Sequence, residues 1–189
     1  MIDVLVAGGG PAGLATALYA QRAGLEVVVL EPRAAPIDKA CGEGLMPAAL
    51  QALAELGVHP PGRPLRGVRY LDGPYSAQAL FPGAPGRGVR RTALQSCLRE
   101  AVADRGIAVH EASLTELRQD ETCVRAGGLT ARYLVGADGL HSTVRRLAAL
   151  NLPGRSPARW GLRRHYRIEP GSDLVEVHWS PSAEAYLTP

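Results

Sequence analysis

Three glycines and one acid carry the clearest chemistry in this chain. Gly8, Gly10 and Gly13 stand at G-x-G-x-x-G spacing, and Glu31 follows Gly13 by 18 positions. The triplet alone is a weak signal. Its context is what a dinucleotide-binding turn requires: an apolar run before it, a helical pattern after it, and an acid at the end of the next apolar run. Gly8 permits the tight turn, Gly10 lets backbone approach a pyrophosphate, and Gly13 lets the helix pack against the strand. The helix start supplies free N–H groups and the positive end of the helix dipole. Glu31 can accept hydrogen bonds from both ribose hydroxyls and would repel a 2′-phosphate, which argues against NADP as the resident nucleotide.

The remaining reactive residue types form no comparable constellation. Cys41, Cys97 and Cys123 are three in number and lack C-x-x-C spacing, so neither a disulfide framework nor a structural zinc site is expected. His59, His110, His141, His165 and His178 are scattered without H-x-H or H-E-x-x-H pairing, and no metal site is expected. Lys39 is the only lysine and reads as exposed. The loop Cys41-Gly42-Glu43-Gly44 has two readings that the residues leave open: backbone approaching a ring, or a surface loop with a half-buried thiol. No acid–base catalytic residue is assigned.

The elements that must position the glycine turn follow from hydrophobic period and punctuation. Ile2 to Ala7 predicts a buried parallel strand, Pro11 to Ala23 a helix with proline in its first turn, and Val27 to Leu30 a second buried strand. Together they make a βαβ unit. Residues 33 to 45 read as loop, and Met46 to Leu56 as an amphipathic helix. Val68 to Leu71 and Ala77 to Phe81 read as paired strands, with 82 to 88 as loop. Thr92 to Asp104 predicts a helix with Leu94, Cys97, Leu98, Ala101 and Val102 on one face, and Ile107 to His110 a strand. Leu114 to Leu117, Thr122 to Arg125 and Leu129 to Arg132 predict a small antiparallel meander. Tyr133 to Val135 leads into Gly136-Ala137-Asp138-Gly139 and a helix from His141 to Ala149. Arg159 to Ile168 and Leu174 to Trp179 predict two more strands.

Composition bounds the class. The chain has 189 residues, 46% hydrophobic and 21% charged, which suits a folded globular protein with its own core. Glycine (22) and proline (15) together stay below the level of low-complexity chains. The net charge is +3. Seven arginines and no acid lie between Arg145 and Arg167, a stretch that reads as a solvated face or one that meets another part of the protein rather than a nucleic-acid surface. The apolar N-terminus is interrupted by Asp3 and by glycines, lacks a basic leader, and is too short to span a membrane. A cytoplasmic protein is expected.

The motifs together resemble a known family. GGGPAG with Glu31-Pro32-Arg33, Arg91 opening a helix after a Gly/Pro loop, and LVGADGLHSTVRR at 134–146 resemble the FAD-dependent monooxygenases of the aromatic-hydroxylase fold. The segment DKACGEGLMPAALQAL is similar to the geranylgeranyl-reductase-like branch. The resemblance implies that Gly8, Gly10, Pro11, Ala12 and Gly13 hold the FAD pyrophosphate, that Glu31 holds the adenosine ribose, and that Arg33 lies near the adenosine. It implies that Arg91 reaches the flavin-side phosphate or ribityl chain, and that Asp138 and Gly139 support FAD and the approach of a nicotinamide donor, NAD(P)H. Read from the residues alone, Asp138 between glycines is an ordinary turn residue.

The expected fold class is α/β: a Rossmann-like FAD-binding domain with a parallel sheet and β-meander, plus an incomplete antiparallel sheet of a substrate domain. The expected domain division is 1–66 with 83–152 for FAD, and 67–82 with 153–189 for substrate. The resemblance implies an NAD(P)H-driven monooxygenase or alkene reductase acting on a small organic or isoprenoid substrate. It also implies a third motif, a Gly-Asp segment, for which Gly171-Ser172-Asp173 is the only candidate and sits in an expected turn. The chain therefore reads as the N-terminal part of such an enzyme, whose partner would be a C-terminal fragment or a second copy. The alternative is a nucleotide-binding fragment without catalysis.

Overall fold

The computed structural model describes residues 1–152 and 159–189. In chain order the elements are β1 (Ile2–Ala7), α1 (Pro11–Arg22), β2 (Val27–Leu30), β3 (Gly44–Leu45), α2 (Pro47–Glu55), β4 (Arg63–Leu65), β5 (Gly67–Asp72) and β6 (Tyr75–Leu80). They continue with β7 (Gly86–Gly88), α3 (Arg91–Asp104), β8 (Ala108–His110), β9 (Leu117–Gln119), β10 (Val124–Ala126), β11 (Leu129–Gly136), α4 (Thr143–Leu147), β12 (Leu174–Trp179) and β13 (Glu184–Leu187). The chain divides into two compact units, Met1–Ile37 with Gln95–Ala158, and Asp38–Leu94 with Arg159–Pro189.

The first unit is built on a six-stranded sheet in the order β8-β2-β1-β11-β10-β9. Strand β1 is central and runs parallel to β2 (Val4 opposite Val27) and to β11 (Val4 opposite Tyr133). Its apolar run has no polar alternation because both faces are covered, as in other parallel sheets. Leu5 and Leu30 belong to a core cluster with Val28, Val124, Ala126 and Ala131. The meander β9–β10–β11 extends the parallel sheet through antiparallel pairs, as the turns at Gln119-Asp120 and Gly127-Gly128 predict.

The second unit holds a four-stranded sheet, β13-β12-β5-β6, and a three-stranded one, β3-β7-β4. Pairs β5–β6 and β12–β13 are antiparallel, as expected, but the central pair β5–β12 is parallel, with Val68 opposite Val175. The sheet is therefore mixed rather than antiparallel. Two hairpins meet through their first strands, and the long intervening chain supplies the crossover that a parallel pair needs.

The unit boundaries also differ from the sequence-based division. Residues 38–66 and 83–94 cluster with the second unit. The cause is the short β3, β4 and β7 ladder, together with Leu65, which is packed with Val175 and Val177 in one core cluster.

Two further expectations need correction. Arg159 to Ile168 forms no strand. Its alternating apolar side chains find no buried face: Trp160 is 91% and Leu162 is 99% exposed. The predicted helix His141 to Ala149 shrinks to Thr143–Leu147, because Ser142 caps its start and Ala149, at φ +56, terminates it.

Candidate functional site

The turn between β1 and α1 is set by close backbone approach. Gly8 has φ +111, and a Cβ there would overlap the Ala137 carbonyl. A Cβ on Gly13 would overlap the carbonyl oxygen of Gly8. Both glycines are therefore sterically required. Gly10 differs: as N-cap of α1 it has φ −74, which any residue adopts, so backbone freedom does not require a glycine there. Pro11 occupies the first turn, no side chain caps the helix, and the first turn carries no acid. Its amides and the positive helix end suit an anion of the phosphate type.

Glu31 at the end of β2 is the electrostatic centre of this region. It is only 2% exposed. Its carboxylate accepts from the Gly9 amide (2.8 Å), from the Arg33 amide (3.0 Å), and from Arg33 Nε and Nη2 (2.7 and 2.8 Å). Burial raises its pKa, but these donors outweigh burial and hold it below the usual carboxylate range. The same pair raises the Arg33 pKa. Glu31 is thus a clamp on the glycine turn. A Cβ on Gly9 would press on the Glu31 side chain, which is why a third consecutive glycine stands at this position.

Gln95 is a member of this region that the sequence reading passed over. It is fully buried, its Nε2 donates to the Gly9 carbonyl and its Oε1 accepts from the Ile37 amide, both at 3.4 Å. A signal was present: Gln95 precedes Leu98 and Val102 at helical spacing, a polar residue on an apolar face.

Asp138 is engaged by its own segment. Its carboxylate accepts from Ser142 Oγ (2.5 Å) and from the amides of Thr143 (2.6 Å) and Val144 (3.0 Å). Burial raises its pKa, and the Ser142 hydroxyl and the helix amides reverse that, leaving it lowered. The residue caps α4, and Gly139, at φ +87, completes the turn. The turn reading of Asp138 accounts for this geometry in full.

In the first unit the structure brings Gly8–Gly13, Glu31, Arg33 and Asp138 to the strand ends of one sheet. Arg91 belongs to the second unit, where its amide donates to Glu43 Oε1 at 2.7 Å. Its Nε is buried and has no hydrogen-bond partner among the described residues. An orphaned guanidinium nitrogen of this kind is costly unless a ligand completes it. Among the described residues no group of three metal-ligating side chains occurs, and no helix is long and apolar enough to cross a membrane.

The family model described as FAD binding domain matches residues 1–166. A menaquinone reductase of Mycobacterium tuberculosis is 34% identical over 165 residues, covering 76% of this chain and 39% of its own length. A dialkyldecalin synthase of Streptomyces rugosporus is 30% identical over 185 residues, covering 92% of this chain and 40% of its own. A geranylgeranyl bacteriochlorophyll reductase-like protein of Thermoplasma acidophilum superposes with a TM-score of 0.71 at 20% identity, over 100% of this chain and 53% of its own, and shows the shared fold. The chain spans about two-fifths of the length of these curated relatives.

Proposed function

We propose, for a chain that belongs to the FAD binding domain family, that the β1–α1 turn holds the pyrophosphate of FAD and that the protein serves an FAD-dependent oxidoreductase of the monooxygenase or reductase type. The observation that carries the reading is the uncapped first turn of α1 behind two glycines that admit no side chain. In it, Gly8, Gly10, Pro11, Ala12 and Gly13 form the turn around the two phosphates: Gly10, Ala12 and Gly13 supply amide N–H groups, Gly8, whose own amide donates to the Leu30 carbonyl, permits the turn, and Pro11 starts the helix. Glu31, already ionised, keeps the turn in shape through Gly9 and takes the adenosine ribose hydroxyls in exchange for the Arg33 guanidinium, whose side chain is 43% exposed. Arg33 lies beside the adenosine. Arg91, whose buried Nε lacks a partner among the described residues, donates to a flavin-side phosphate or to the ribityl chain. Asp138 and Gly139 fix the loop that bounds the cofactor. FAD, when bound, supplies two-electron redox chemistry, with NAD(P)H as transient electron donor and a small organic or isoprenoid molecule as substrate. The protein residues bind, orient and exclude water.

The supporting experiment is an isothermal titration of the purified chain with FAD and with ADP, alongside absorbance in the flavin bands. Saturable binding of FAD that is competed by ADP is expected. A chain that binds neither ligand overturns the pyrophosphate assignment. One that binds ADP but oxidises no NAD(P)H when supplied with FAD favours the non-catalytic nucleotide-binding reading, which the partial span of its relatives keeps in play.

A further inference from the structure

The four-stranded sheet of the second unit keeps its cation and its aromatic rings on opposite faces. Cross-strand partners share a face, so register decides which side chains are neighbours. On one face Arg69 bonds to Glu176 and Gln78, and His178 Nε2 lies 3.3 Å from Glu176 Oε2. Arg69 is the one arginine or lysine in the four strands. The other face has Val177 between Tyr70 of β5 and Tyr186 of β13. Two residues further along the strands, Trp179 stands opposite Glu184, and Asp72 opposite Tyr75. The FAD reading uses none of these side chains.

Three rings therefore surround the buried Val177: one on each neighbouring strand and one ahead of it on its own strand. Tyr70 and Trp179 are in tilted contact, with centroids 5.2 Å apart. The Tyr186 hydroxyl donates to Glu184 Oε2 at 2.7 Å. That bond above all, with the nearby Tyr70, raises the Tyr186 pKa, and Arg159 opposes the shift as the weakest influence on it. Tyr70, Trp179 and Tyr186 are 41%, 48% and 56% exposed, so the rings pack on the sheet and still present surface outward. The Asp72 carboxylate joins no ion pair among the described residues. Aromatic faces carry the negative part of the ring quadrupole. Rings and two carboxylates on one face, with the strand-borne arginine on the other, make a surface complementary to a positive charge with an apolar skin.

We propose that Tyr70, Trp179 and Tyr186, with Asp72 and Glu184, bind the alkylated ammonium group of a small organic cation. The alkyl groups of a quaternary or tertiary ammonium spread the charge over an apolar surface, which lies against the rings and Val177. Such a group has at most one hydrogen to donate, so the site needs no set of convergent acceptors. The carboxylates act through charge, and Glu184 also holds the Tyr186 ring in place. A primary ammonium is more strongly hydrated and loses more on leaving water. A neutral molecule of the same shape gains the apolar contact alone. The site is independent of the FAD reading, since binding makes and breaks no covalent bond and calls on none of the residues assigned to the cofactor.

The test uses the whole chain with choline as probe, at constant ionic strength. Saturation-transfer NMR should show the choline methyl protons in contact with the protein, with saturable binding in the millimolar range expected of a half-exposed site. The control is the neutral analogue of choline in which carbon replaces the charged nitrogen, and it should bind about tenfold more weakly or less. Trp179→Leu and Tyr186→Leu should each weaken choline binding about fivefold, and Asp72→Asn about twofold. These side chains are exposed or half-exposed, and native circular dichroism of each variant checks folding. Asp72→Asn keeps the shape of the surface, so it carries the test should a ring variant unfold. Equal binding of choline and its neutral analogue overturns the proposal and leaves a plain apolar docking face. An absence of saturable binding, or undiminished affinity in the folded variants, overturns it as well. The FAD titration is read separately: intact FAD binding with a failed choline test refutes the ammonium site alone.

Discussion

Replacing Glu31 by glutamine isolates the charge at the centre of the glycine turn with little change of shape. In the folded chain four donor hydrogens converge on this carboxylate, from the Gly9 amide, the Arg33 amide and the Arg33 guanidinium, at 2.7 to 3.0 Å. Glutamine offers one acceptor oxygen and an NH₂ that faces donors, so at least two of the bonds are lost and the others weaken. A hydrogen bond to a charged group is worth about 1.5–3 kcal/mol. The Arg33 side chain is 43% exposed, so its share is discounted for solvent screening. The buried Gly9 bond keeps most of its value, and the expected loss at pH 7 is about 2–3 kcal/mol, a large part of a typical stability of roughly 5–15 kcal/mol.

The pH dependence gives the sharper test. The folded-state pKa of Glu31 is lowered, so its contribution is fully present above the unfolded carboxylate pKa near 4.5 and disappears as pH falls through the lower folded value. Urea unfolding followed by circular dichroism should therefore separate the two proteins by the full amount at pH 7. The gap should close steadily as the pH falls below about 4, where protonated Glu31 resembles glutamine. Equal stability at pH 7, or a gap that stays constant down to low pH, would refute the claim that an ionised Glu31 holds the turn.

Other outcomes follow from the same geometry. Gly13→Ala should cost about 3 kcal/mol, because its Cβ would overlap the rigid Gly8 carbonyl, and a thermal melt unchanged from the parent would contradict this. Gly10→Val should leave circular dichroism native, since φ is −74, yet abolish FAD binding in a calorimetric titration; retained affinity would move the phosphate site elsewhere. Gln95→Leu should cost about 1–2 kcal/mol by stranding the Gly9 carbonyl and the Ile37 amide, with the apolar leucine recovering part of the loss, and a urea melt measures it. Asp138→Asn should cost about 1 kcal/mol through the weakened α4 cap at neutral pH. Because the Asp138 pKa is lowered, that difference should fade as the pH drops below the ordinary carboxylate range.

The local grammar of the chain was sufficient for β1, α1, β2 and the turn between them. A short apolar run, glycines at fixed spacing and a proline in the first helical turn act over a few residues, and nothing distant competes with them. The hairpin β5–β6 and the meander β9–β11 were legible for the same reason, since turn residues fix register between neighbours in sequence. What the tertiary structure decided lies in contacts of long separation. Glu31 is legible in the sequence as an acid at the end of β2, but its bond to the Gly9 amide, 22 positions away, appears only in the fold. Gln95 acquires its place only through Gly9, 86 residues distant, and Glu43 through His165, 122 residues distant. The parallel β5–β12 pair and the division at Ile37 and Gln95 depend equally on chain segments that no local pattern relates. The alternation from Trp160 to Ile168 is strand-like, but a strand exists only where a neighbouring backbone completes its hydrogen bonds, and among the described residues this segment is held by the side chains of Arg163 and His165 instead.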